Sequence, residues 1–160
     1  MADSRPRDVL RHSVLDRLVS TGGGRRQGDL RIGVEELKQS VRRDIEWLLN
    51  SRRPLLDLSD LPEARSSILA YGIPDLTLFS SSHADSQRIC VYIEETLRTF
   101  EPRLLPRSIK VEPVPGREEG HARLKFSIHA LLNVDPVREP ISFDTSVETA
   151  SGAVQVTTGD

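Results

Sequence analysis

The sequence predicts an α+β domain, three helices packed on an antiparallel β-meander of about four strands. Three observations predict it. Apolar residues recur at a period near 3.6 up to Phe100 and near 2 after Pro106. The breaks in the second half are short and made of turn residues, Pro115-Gly116, Asp135-Pro136 and Ser151-Gly152, so consecutive strands return beside one another. The chain has 160 residues, 37% hydrophobic and 29% charged, which suits one core inside a heavily charged surface. Helices first and strands after put the helices on one face of the sheet.

Residues 1–30 read as an N-terminal arm. Leu10, Val14, Leu15 and Leu18 recur at helical spacing, and Gly22-Gly23-Gly24 with Gly28 then forms a hinge. No Gly-Lys-Ser/Thr follows these glycines, so a phosphate-cradling loop is not supported. Residues 31–160 form the domain. Its first helix spans Val34 to Ser51, with Val34, Leu37, Val41, Ile45, Leu48 and Leu49 on one face and Glu35, Glu36, Arg42, Arg43 and Glu46 on the other. Trp47 falls off the stripe, and Pro54 closes the segment. A short second helix of about two turns is expected over Ala64 to Tyr71, where Asp60 can cap it, Pro62 starts it and Gly72 ends it. Asp75 to Asp85 reads as a serine-rich loop. The third helix runs from Ser86 to Phe100 on the stripe Ile89, Ile93, Leu97, and stops before Pro102. Strands are expected at Ile109–Val114, Arg123–Val134, Ile141–Val147 and Val154–Val156.

Several function classes are disfavoured. No run of roughly 18 apolar residues exists to cross a membrane, and the N-terminus has no signal-like apolar region, so a cytoplasmic chain is expected. The lone Cys90 excludes a disulfide framework and a thiolate-rich metal site, and its place on the helix stripe suggests a core thiol. Twenty-two Lys and Arg against 24 Asp and Glu leave a net charge of −2, without the basic excess of a nucleic-acid binder. His12, His83, His121 and His129 are not at metal-ligand spacing, so no metal and no cofactor is expected. There is no nucleophile elbow. Glu94 with Glu95, and Glu118 with Glu119, read as solvated pairs rather than the acid and nucleophile of a glycosidase. Sparse site chemistry points toward binding other proteins. Phe100-Glu101-Pro102-Arg103-Leu104-Leu105-Pro106-Arg107 is a stiff charged corner that fits either an internal clamp or a rigid interface.

Four stretches resemble TssE, the baseplate subunit of bacterial type VI secretion systems, itself similar to a small wedge protein of contractile phage tails. They are Ser13–Leu18, Leu37–Arg53, Ser67–Leu76 with its Tyr-Gly-Ile-Pro-Asp-Leu run, and Phe100–Leu104 followed by strands to Phe143-Asp144-Thr145. The resemblance implies a structural, non-enzymatic role beside TssF, TssG and TssK in the baseplate wedge. It implies a cytoplasmic location at the inner-membrane-docked baseplate. It also implies likeness to the strand-exchanging domain of the sheath subunit, hence a template for the first sheath ring. In that family the Glu-Pro-Arg motif joins the wedge's helical bundle to the sheath-like domain, which carries over to Glu101, Pro102 and Arg103. A phage or extracellular-particle wedge protein shares these features. The family's "lysozyme-like" label, and the peptidoglycan hydrolase it suggests, has no placed acid and nucleophile here.

Three contact sites are therefore expected. The final strand, at Val154 and Val156, has nothing after it to cover its outer side and would accept a sheath strand, with the first strand near Ile109 as the other option. Pro102 would hold Glu101 and Arg103 apart, each open to a partner's charge. Val14, Leu15 and Leu18 would dock the arm on another baseplate subunit.

Overall fold

The computed structural model describes residues 33–58, 60–79, 82–115, 123–133 and 138–159. The arm, with Val14, Leu15 and Leu18, lies outside them, as do His121, Glu118 and Glu119. Helix α1 is Val34–Asn50, α2 is Pro62–Arg65 and α3 is His83–Phe100. The strands are β1 Lys110–Val114, β2 Arg123–Leu132, β3 Glu139–Glu148 and β4 Val154–Thr158, ordered β1-β2-β3-β4 and antiparallel throughout. The α+β meander expected from periodicity is the observed fold.

One sheet face and two helical stripes make the core. Phe126, Ile128, Ala130 and Leu132 of β2 and Ile141, Phe143, Thr145 and Val147 of β3 point to the helices, as strand alternation requires. Leu37, Val41, Ile45, Leu48 and Leu49 meet them from α1, and Ile89, Cys90, Ile93 and Leu97 from α3. Each large side chain so buried contributes about 1.5–3 kcal/mol. Helix α1 packs along β4 and α3 along β1, so each long helix guards one flank of the sheet. The outer face is polar, with Lys110, Glu112, Ser127, His129, Asp144 and Gln155.

Two boundaries differ from expectation. The second helix is one turn, Pro62–Arg65, followed by a separate 3-10 turn at Ile68–Ala70. Ser66 and Ser67 break it: their hydroxyls donate back to the Glu63 and Ala64 carbonyls, and Ser67 Oγ accepts from Leu69 N–H to start the next turn. Helix α3 starts three residues early, at His83, because Ser82 Oγ caps the Asp85 N–H. Within the expected serine-rich loop, Asp75 caps a 3-10 turn at Leu76–Leu78. Gly72 does take the left-handed backbone expected of it, with φ 105°. There Ile73 N–H donates to Ser51 O and Arg53 N–H to Ile73 O, tying the end of α1 to this segment.

Candidate functional site

The Glu-Pro-Arg corner sits where α3 hands over to the sheet. Glu101 follows the last residue of α3 as its C-terminal cap and is only 4% exposed. Its carboxylate is bound at both oxygens by Arg103: Nε donates to Oε1 at 2.7 Å and Nη2 to Oε2 at 2.7 Å. The Arg103 backbone N–H adds a third bond to Oε1 at 3.1 Å. The guanidinium then crosses to α1, where Nη2 meets Asp44 Oδ2 at 2.7 Å and Nη1 meets Ser40 Oγ at 3.2 Å. Burial disfavours the Arg103 charge, but Glu101 first and Asp44 second outweigh it and hold its pKa above the ordinary value. Planar fork geometry is what lets one arginine serve two carboxylates.

This corrects the expected geometry. Pro102 does not hold the two charges apart; the turn folds Arg103 back onto Glu101 through a Leu104 N–H to Glu101 O bond. Burial leaves Glu101 no surface to offer a partner. The corner is an internal clamp joining α1, α3 and the sheet, with Arg103 O accepting from Asn133 N–H beyond β2. On the same side Arg43 binds Asp44 Oδ1 and lies 5.0 Å over the ring of Trp47, which is half-exposed.

The sheet edges differ from expectation as well. Pairing with β3 uses the alternate residues of β4, so the N–H and C=O of Val154 and Val156 point away from the sheet. Helix α1 covers them. Asn50 Oδ1 accepts from Val154 N–H at 3.0 Å while Asn50 Nδ2 donates to Val154 O at 2.7 Å. Glu46 Oε1 accepts from Val156 N–H at 3.4 Å, and Arg42 Nη1 donates to Val156 O at 2.8 Å. The expectation that nothing covers this flank is therefore wrong, since covering groups come from earlier in the chain. At the other flank Glu94 Oε1 accepts from Val111 N–H at 3.0 Å and Arg98 Nη2 donates to Ile109 O at 3.3 Å.

Exposed apolar side chains concentrate in the connector between α1 and α3. Leu55, Ile68 and Leu78 are 100%, 85% and 79% exposed, and Leu56, Leu61 and Leu69 are each more than half exposed. A surface of this kind suits contact with another protein. Sequence reading missed it because the segment has no period to say which way its leucines face.

On the outer sheet face His129 Nε2 lies 3.2 Å from Ser127 Oγ and Nδ1 lies 3.2 Å from Ser142 Oγ, with Asp144 on Ser127 at 3.5 Å. A hydrolytic triad needs a carboxylate on the ring nitrogen remote from the nucleophile, and a hydroxyl occupies that place. Burial first, and Glu94 next, push the Cys90 thiol up to about 11, the reverse of an activated nucleophile. Among the described residues no group of three or more His, Cys, Asp or Glu could hold a metal, and no helix is long and apolar enough to cross a membrane.

Two helices guard the flanks of a small meander, with a clamped corner at Glu101 and Arg103 and an exposed apolar connector between the helices. The family described as baseplate wedge protein gp25 matches residues 35–137, from the first turn of α1 through the β2–β3 connection. The chain belongs to that family, which includes TssE and whose members are structural baseplate proteins. A search of curated proteins finds no match.

Proposed function

We propose that this chain is the TssE-type wedge subunit of a type VI secretion baseplate, binding TssF, TssG and TssK and templating the first ring of the contractile sheath. The observation that carries the reading is the family match over α1, the clamp and the first two strands, together with the TssE-like residues of the same span. The exposed apolar connector supports docking on other wedge subunits. Val154 and Val156 support the templating role, because their outward backbone groups are held by side chains and not by a further strand. β-Augmentation would replace those side chains with main-chain bonds. The N-terminal arm, residues 1–30, is assigned to the same wedge through Val14, Leu15 and Leu18. Its place of work would be the cytoplasmic, inner-membrane-docked baseplate.

A wedge protein of a contractile phage tail or an extracellular injection particle is the second reading, favoured by the phage wedge protein that gives the family its description. A non-enzymatic role is supported by the Ser127–His129–Ser142 geometry and the raised Cys90 thiol. Co-expression with candidate TssF, TssG and sheath subunits tests the proposal. Retention of TssF and TssG on the tagged chain, and sheath seeded by the resulting complex, are expected. A chain that binds neither set would overturn it, and release of soluble fragments from purified cell walls would restore the hydrolase reading.

A further inference from the structure

The side chains on the β4 flank follow the spacing of the strand they cover. Arg42, Glu46 and Asn50 are four residues apart on α1, so they rise along the helix in steps of about 6 Å. Outward-facing residues of a strand recur every second position, in steps of about 6.6 Å. The two spacings match closely enough to hold register over Val154 and Val156. The chemistry matches too. In an antiparallel ladder each hydrogen-bonded residue exchanges both its N–H and its C=O with one opposite residue. Asn50 does this for Val154 with the two ends of its amide, and the Glu46 carboxylate with the Arg42 guanidinium does it for Val156. Arg42 Nη1 also holds Glu46 Oε2 at 3.1 Å, so the two ends of the second pair are joined.

We propose that Arg42, Glu46 and Asn50 are a latch, a side-chain surrogate for a fifth strand that keeps the β4 edge closed until an extended segment of another polypeptide displaces it. This rests on the proposed reading of β4 as a strand acceptor and adds what governs access to it. The opposite flank carries a similar cover, Glu94 on the Val111 N–H and Arg98 on the Ile109 carbonyl, but it differs at one position. Pro113 occupies the second outward position of β1 and has no N–H to offer, so that edge is blunted by the backbone as well as by side chains. β4 carries no proline, and the N–H groups of Val154 and Val156 are held by side chains that can swing away. Asn50, exposed at the last position of α1, is the easiest to release. The device answers a problem of any assembly template: an open edge pairs with whatever strand arrives first, its own copy included.

The 160-residue chain carries the test, with no sheath component present, so the result is independent of the sheath reading. Asn50→Ala, alone and combined with Arg42→Ala, is compared with the unsubstituted chain by residue-resolved amide exchange and by sedimentation over a range of concentrations. Exchange at Val154 is expected to quicken by about tenfold or more in Asn50→Ala, and at Val156 also in the double variant, while amides of β2 and β3 hold. The double variant is expected to self-associate with concentration, and Val154→Pro added to it to restore the monomer. Val154 is the right control because its N–H faces away from β3, so proline leaves that ladder intact. Unchanged exchange at Val154 and Val156 would overturn the latch. Quickened exchange with a chain that stays monomeric at every concentration would overturn it as well, by showing that the uncovered edge accepts no strand. Asn50→Ala changes one exposed helix-end residue, so it carries the test if the double variant fails to fold.

Discussion

Arg103 answers two carboxylates, and removing either should show in stability before it shows in assembly. Glu101→Ala leaves a three-quarters-buried guanidinium without the carboxylate it binds at two oxygens, which costs about 3–5 kcal/mol for a buried pair. The expected result is a large fall in melting temperature; a near-normal melt would return the corner to the role of an interface. Arg103→Lys cannot reproduce the fork and should also destabilise. Thr145 is a different case. Its hydroxyl is buried in the described structure with no hydrogen-bond partner, between Phe126 and Val156 in the ladder. Thr145→Val keeps the shape and removes the unpaired group, so it should stabilise by about 1 kcal/mol in urea unfolding. Cys90 sets a pH dependence. The folded thiol keeps its proton up to about 11, whereas an unfolded one loses it near 9.0. The folded state therefore binds more protons in that window, and stability falls as pH rises through it, with no contribution from Cys90 at neutral pH. Native alkylation at pH 8 should be slow and should accelerate on adding urea. Cys90→Ser should flatten the alkaline slope, and an unchanged slope would remove Cys90 as its source.

Among the elements, those with a period were legible in the sequence and those with only punctuation were not. The stripe from Leu37 to Leu49 and the alternation from Phe126 to Val147 are each repeated often enough to fix a face. The segment from Pro62 to Leu78 offers single residues that could start or stop a turn, and the local competition among Ser66, Ser67 and Asp75 was settled by hydrogen bonds that composition does not reveal. The stiffness of the Glu-Pro-Arg corner was likewise readable, but its partners Asp44 and Ser40 lie 59 and 63 residues away in sequence. The latch spacing of Arg42, Glu46 and Asn50 was visible, yet a polar stripe reads as a solvated face until the strand beside it is known. Gly72 tests the connector. Its φ of 105° and its approach to the Ser51 carbonyl leave no room for a Cβ. Gly72→Ala should cost more than about 1 kcal/mol by urea unfolding and loosen the Arg52–Ile73 bridge in amide exchange. A variant as stable as the original would mean that the connector adapts freely.

At the scale of the whole molecule, the proposed function places stability and assembly in different parts. The clamp and the core under the sheet hold the fold, while the side-chain-held outward groups of β4 and the exposed leucines of the connector are the surfaces proposed to meet other chains. Val154→Pro probes that division. It removes one outward N–H, now spent on Asn50, and keeps a compact apolar ring in a pocket where Val154 is 3% exposed. The ladder to β3 survives, because Val154 contributes no hydrogen bond to it. In a reconstituted wedge, this variant should melt within a few degrees of the original chain, bind the same wedge subunits and fail to seed sheath in a sedimentation assay. Clamp variants should lose all of these together as the fold weakens. If Val154→Pro seeds sheath normally, the sheath contact lies elsewhere, and the apolar connector between α1 and α3 becomes the surface to substitute next.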